Sequence, residues 1–228
     1  MEKLIIVTKD GSHTVSIPAL NVTYHSHHGA VQESTHVFIK AGLLPLMSHQ
    51  TPVIHVLDVG LGTGLNALLT VMESEATGKR IHYTAIELYP LELEEVKQLN
   101  YCSHLNRNDL QPVFEKIHVG DWGKEITISK YVTLKKLAID LHEFDPLHDP
   151  DFHPYHLVYY DPFAPAAQPD LWTKDVFSKL YNPMAPGGML VTYCSKSIVR
   201  SAMQAAGFKV TKLPGPRGKR EMVRAFKI

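Results

Sequence analysis

The sequence predicts an α/β fold, a Rossmann-like doubly wound sheet with an antiparallel last strand, and three observations carry that reading. Short apolar runs alternate with helically spaced segments, glycines sit between run and helix, and the last two extended segments flank a turn-rich PGPRGKR. Residues 53–60 (VIHVLDVG) form a β-branched run that ends at glycine, which is the pattern of a buried strand. Residues 64–76 place Leu65, Leu68, Leu69 and Met72 at helical spacing, with Gly78 as the stop. Residues 81–87 read as the next strand, and Pro90 is expected in the first turn of a helix over PLELEEVKQL. Residues 125–130 and 133–139 form a hairpin pattern around Tyr131, its second strand ending at Asp140. The run HLVYY leads into Asp161, Gly187 and Gly188 introduce a strand over 189–193, and residues 198–206 suit a short helix. Residues 1–40 read as an N-terminal β extension and 41–228 as the Rossmann-like core. No repeat, linker or charge block divides them, so one domain over 1–228 is expected.

Composition narrows the function classes. The chain of 228 residues is 44% hydrophobic and 20% charged, enough for a sizeable core without a disulfide or metal staple, and its 14 glycines and 15 prolines exclude fibrous or low-complexity structure. No apolar run approaches the roughly 20 residues of a membrane span. Lys3 and Lys9 flank only four apolar residues, too few for a signal peptide, so a cytoplasmic protein with no membrane partner is expected. Cys102 and Cys194 have no metal or disulfide spacing. The net charge of zero hides an asymmetry: residues 196–228 hold nine basic side chains against Glu221, a local +8 that the rest of the chain cancels. Such a tail is either a solvated basic face or a phosphate-binding edge.

The segment from Asp58 to Gly64 (DVGLGTG) turns a strand into a helix, where glycines let backbone N–H groups approach a ligand at the positive helix end. It departs from the plain GxGxxG fingerprint, since counting from Gly60 lands on Leu65, and fits the GxGxxA variant from Gly62 to Ala67. Glu87 ends the second strand, where an acid holds the ribose of a nucleoside, and Asp140 ends the third, within reach of an adenine amino group. Each could also be an ordinary surface carboxylate. Asp161 opens the proline-rich loop DPFAPAAQPDLW at the carboxyl end of the sheet, beside Phe163 and Trp172. A fixed acid there can orient an amine and take its proton while a planar group stacks on the rings; the plainer role is a capping or loop-bracing aspartate. Fourteen histidines raise a metal site, but no HExxH or Cys/His spacing supports one, and no metal is expected. Ser26 and Ser195 lack a GxSxG context, and no GKS/T phosphate loop occurs.

Taken together, these motifs resemble the bacterial tRNA 5-methylaminomethyl-2-thiouridine methyltransferase family, comprising the methyltransferase domain of bifunctional MnmC and its stand-alone MnmD relatives. The resemblance spans about residues 22–228 and rests on YHSHHGAVQE from Tyr24, GLGTGLN from Gly60, Glu87 with Pro90, DPFAP with PDLW, and GKREM from Gly218. It implies a class I S-adenosylmethionine-dependent methyltransferase fold. It also implies methylation of 5-aminomethyl(-2-thio)uridine to 5-methylaminomethyl(-2-thio)uridine at the tRNA wobble position. By the same resemblance Gly60, Gly62, Thr63, Gly64 and Asn66 contact S-adenosylmethionine, Glu87 its ribose and Asp140 its adenine, while Asp161 matches the catalytic acid. Asp140 is preferred to Asp121 because the family's acid lies about twenty residues before the DxFAP aspartate. Pro162 stands where the family usually has Gly, and Gln168 where it has Asn. No flavin domain or flavin cofactor is expected, so the oxidative half-reaction is expected to fall to a separate flavin-dependent or other upstream modification enzyme as a partner.

An aspartate of ordinary pKa, about 3.9, is a weak base for an ammonium, so Asp161 is expected chiefly to orient the amine. Tyr24 and Phe163 are expected to stack on a flipped-out base, and Arg217, Lys219 and Arg220 to meet phosphates of the anticodon stem-loop. A small-amine or polyamine-synthase-like enzyme would share the cofactor loop without needing the basic tail, and a non-catalytic tRNA-binding module would bind without transfer.

Overall fold

Three short strands, β1 (Leu4–Val7), β2 (His13–Ile17) and β3 (Val22–Thr23), pair antiparallel in that order. The computed structural model describes residues 2–48 and 50–228; Met1 of the expected extension and His49 of the expected core lie outside them. The β reading of residues 1–40 is corrected beyond Thr23, because α1 (Ala30–Ser34) runs through a π-helical segment, Thr35–Leu43, into α2 (Leu44–Met47). A π winding bonds i to i+5 and moves the buried Val37, Phe38, Ile39 and Leu43 off the 3.6-residue period, so the run looks extended in sequence.

The alternating section follows as β4 (Val53–Val59), α3 (Leu65–Thr77), β5 (Arg80–Ile86), α4 (Leu93–Val96), α5 (Tyr101–His104), α6 (Gln111–Val119), β6 (Glu125–Thr127) and β7 (Val132–Leu137). It continues as β8 (Tyr155–Tyr160), α7 (Lys174–Tyr181), β9 (Met184–Thr192), α8 (Ser197–Ala205), β10 (Phe208–Pro214) and β11 (Glu221–Lys227). The helix expected from Pro90 begins at Leu93 instead. Glu92 is its N-cap, in a capping box with Glu95, whose Oε2 accepts from Glu92 N at 2.9 Å. The strand expected over 189–193 begins earlier, at Met184, with a register shift against β8 that Gly187, at φ +73°, accommodates.

The large sheet has the order β10-β11-β9-β8-β4-β5-β7-β6, with β7, β5, β4, β8 and β9 parallel and β11 reversed against β9. Its two faces are buried by alternate residues. Val56 and Tyr159 pack on the side of α3 and the π segment, where Phe38 meets Tyr159 edge to face at 5.3 Å. Leu57, Val158 and Leu190 pack on the side of α7 and α8. Strand order reverses between β4 and β8, so the loops leaving these two strands open a crevice at their carboxyl ends.

Candidate active site

That crevice is a cavity of about 1110 Å³ walled by the β4–α3 loop, the ends of β5 and β7, the loop after β8, and β2 and β3 of the small sheet. Gly60 and Gly62 are required by close approach as well as by their left-handed φ of +94° and +51°. A Cβ on Gly60 would lie 3.0 Å from the Asp161 carbonyl oxygen, and one on Gly62 2.9 Å from the Tyr24 ring. Gly64 precedes α3, and Thr63 is buried at the cavity wall. Glu87 is tied to this loop: its Oε2 accepts from Gly62 N at 2.9 Å and its Oε1 from Tyr89 N at 2.8 Å. Asp140 also lines the cavity, its Oδ1 accepting from His142 N. Asp121 instead pairs with Lys124 and does not face the cavity.

Asp161 lines the cavity, half-buried, and its Oδ2 accepts from Asn66 Nδ2 at 3.1 Å. Burial, then the negative charges of Glu33 and Asp58, push its carboxyl well above the usual carboxylate range, while Asn66 and Lys219 oppose the shift. The loop it opens is braced from three sides. Phe163 N donates to Gln168 Oε1 at 2.8 Å, Trp172 Nε1 to Phe163 O at 2.9 Å, and Tyr193 Oη to Pro162 O at 2.9 Å. Trp172 is therefore not a stacking platform; it is buried against Tyr160 and Phe177. Phe163 faces the cavity and meets Tyr24 edge to face at 5.2 Å.

Asp58, Glu33 and Tyr193 carry no role in the sequence reading. Asp58 is fully buried on β4, where loss of solvent raises its carboxyl to about 8 although Tyr83 Oη donates to its Oδ2 at 2.6 Å. Its other oxygen, and Asn66 Oδ1, have no hydrogen-bond partner among the described residues. Glu33 on α1 accepts from Ser26 N and from Lys219 Nζ, so the YHSHHGAVQE and GKREM segments meet here. Lys219 is thus committed to an ion pair, while Arg217 and Arg220 of the same loop are exposed. Among the described residues no group of three or more His, Cys, Asp or Glu has a metal-binding arrangement. The His55, His82, His153 and His156 rings pack on one another towards the opposite end of β4.

A glycine cradle, two strand-end acids and unpartnered buried polar atoms around one large cavity suit a nucleoside carrying polar substituents. The sequence profile of a family described as S-adenosyl-L-methionine-dependent methyltransferase matches residues 104–228, more than half of the chain. The chain belongs to that family. The matched part of this methyltransferase includes Asp140, Asp161 and the Lys219 loop. It is 27% identical, across 92% of its length, to the tRNA 5-methylaminomethyl-2-thiouridine biosynthesis bifunctional protein MnmC of Burkholderia multivorans. The chain spans about a third of the length of that curated relative. The crystal structure of MNMC2 from Aquifex aeolicus aligns with a TM-score of 0.73 at 25% identity, covering 98% of this methyltransferase and 69% of that chain. The class I methyltransferase fold and its donor, S-adenosylmethionine, follow; no helix of the described residues is long and apolar enough to cross a membrane.

Proposed function

We propose that this methyltransferase methylates the primary amine of 5-aminomethyl(-2-thio)uridine at the tRNA wobble position, giving the 5-methylaminomethyl nucleoside. The observation that carries the reading is a half-buried carboxylate, Asp161, at the junction of the glycine cradle and a Tyr24–Phe163 aromatic wall. The likeness to MnmC supports the substrate. Glu87 and Asp140 would hold the adenosine of the donor, and Asn66, on the same cavity wall, would contact it as well. Bound S-adenosylmethionine supplies an electrophilic methyl group, whose bond to sulfur breaks with the electron pair left on sulfur as the bond to nitrogen forms.

Asp161 does the remaining work. In its charged form it accepts a proton from the substrate ammonium and holds the freed amine, because an in-line displacement needs a neutral nitrogen at near-attack distance. The carboxyl raised by burial lies closer to the affinity of an amine than an ordinary aspartate does, so transfer to it is less uphill, which adds weight to proton acceptance beside the chiefly orienting role expected from sequence. Tyr24 and Phe163 stack on the uracil ring, and the exposed Arg217 and Arg220 meet the anticodon stem-loop phosphates.

The test is methyl transfer from labelled S-adenosylmethionine to tRNA carrying 5-aminomethyluridine, read by nucleoside mass spectrometry with Asp161→Ala alongside. A 5-methylaminomethyl product that the variant loses supports the reading. Transfer to small polyamines with none to tRNA overturns it.

A further inference from the structure

The ion pair between Glu33 and Lys219 is not among the residues that line the cavity, yet both of its charges act on Asp161. Lys219 Nζ lies 2.6 Å from Glu33 Oε1, Ser26 N donates to Glu33 Oε2 at 2.7 Å, and the Glu33 side chain is only 7% exposed. The ammonium also sits 3.9 Å from the centroid of the Tyr193 ring. Tyr193 in turn donates its hydroxyl to the carbonyl of Pro162, the residue next to Asp161. A lysine kept for phosphate contact leaves its ammonium in water; this one, about a third exposed, is held between a carboxylate and an aromatic face.

We propose that Lys219 is a positioning residue for the amine-methylation site: Glu33 clamps its ammonium against Tyr193, whose hydroxyl holds the Asp161–Pro162 turn, and the pair keeps two opposite charges within electrostatic reach of Asp161. The inference rests on the reading of Asp161 as proton acceptor. The groups that act on Asp161 come from every packed element: Glu33 on α1, Asp58 on β4, Asn66 on α3, Tyr83 on β5, Tyr193 after β9, and Lys219 on the β10–β11 loop. Glu33 and Asp58 favour the protonated acid, whereas Lys219 and Asn66 favour the carboxylate. Glu33 and Lys219 oppose one another at Asp161, with Glu33 the stronger of the two, so removing either partner leaves the other uncompensated. The pair also fixes the Asp161–Pro162 turn through Tyr193, so its loss alters where the carboxylate points.

Two single substitutions separate this from a structural brace, because a brace moves both variants the same way. In Lys219→Met the uncompensated Glu33 charge raises the Asp161 midpoint; in Glu33→Gln the loss of the stronger influence lowers it, and by more. Lys219→Arg restores the wild-type value. The midpoint is read by carbon-13 NMR titration of side-chain carboxyls, with the Asp161 signal identified by its absence in Asp161→Asn. The acid limb of kcat/KM for tRNA methylation shifts with it, at unchanged KM for S-adenosylmethionine. Midpoints that stay put, or that move in one direction in both variants, overturn the proposal. Opposite NMR shifts in a protein inactive on tRNA uphold it and overturn the substrate reading, so the two fail separately.

Discussion

Gly60 and Asp161 lie back to back on loops that leave adjacent parallel strands: Asp161 N donates to Val59 O at 3.0 Å, and a Cβ on Gly60 would come 3.0 Å from the Asp161 carbonyl oxygen. The glycine loop and the Asp161 backbone therefore share one close contact. Gly60→Ala must push Asp161 away or reshape the cradle, and it also forces alanine into φ +94°. Strain of that kind costs about 1–3 kcal/mol. The expected outcome is a lower Tm together with at least tenfold weaker binding of S-adenosylhomocysteine by calorimetry. Wild-type affinity in a destabilised variant would show that the contact braces the fold without shaping the cradle.

Asp161→Asn keeps the acceptor for Asn66 Nδ2 and removes the proton acceptor. Loss of a general base costs about 10²–10⁴-fold, so kcat should fall by at least a hundredfold while the affinity for S-adenosylmethionine stays within a few-fold. The working form is the carboxylate, and burial raises its pKa, so wild-type kcat/KM climbs with pH through a midpoint above the usual carboxylate range. A rate independent of pH down to the ordinary aspartate range would remove Asp161 from proton transfer.

The cavity lining is legible in sequence wherever a residue follows a strand: Gly60, Glu87, Asp140 and Asp161 come after β4, β5, β7 and β8, and strand ends are marked by apolar runs. Glu33 is not, because its partner is 186 residues away and long-range pairing leaves no local pattern. Trp172 misleads for a related reason. An aromatic beside an acid looks like a stacking platform until packing shows its indole nitrogen spent on Phe163 O. The helix α6 carries the signal of Pro112 followed by Phe114 and Ile117 at helical spacing, which a fuller periodicity count would find.

Arg217 and Arg220 are exposed while Lys219 is held by Glu33, so the three basic residues of one loop should separate by salt dependence. Removing a single phosphate-binding cation lowers the slope of log affinity against log salt by about one. Arg217→Gln and Arg220→Gln should each flatten the slope for tRNA binding by that amount, and Lys219→Met should leave it unchanged. A salt response in wild type that none of the arginine variants alters would place the tRNA elsewhere on the surface.

Asp58 gives the fold its own pH dependence. Its carboxyl titrates near 8 in the folded state and near 4 in the unfolded chain, so between those values the folded state binds more protons. Stability contributed by the protonated acid is complete below the unfolded pKa and is lost as pH rises through about 8. The loss amounts to roughly 1.4 kcal/mol for each unit separating the two pKa values, as an upper bound. Asp58→Asn cannot ionise, and its amide oxygen still accepts from Tyr83, although the amide nitrogen lacks a partner where Oδ1 lacked one. That fixed penalty of about 1–3 kcal/mol does not change with pH. Wild type should therefore start more stable than the variant at pH 5 and lose that lead steadily towards pH 8, in chemical denaturation followed at several pH values. Parallel stability curves for the two proteins would mean that Asp58 titrates alike in folded and unfolded chains.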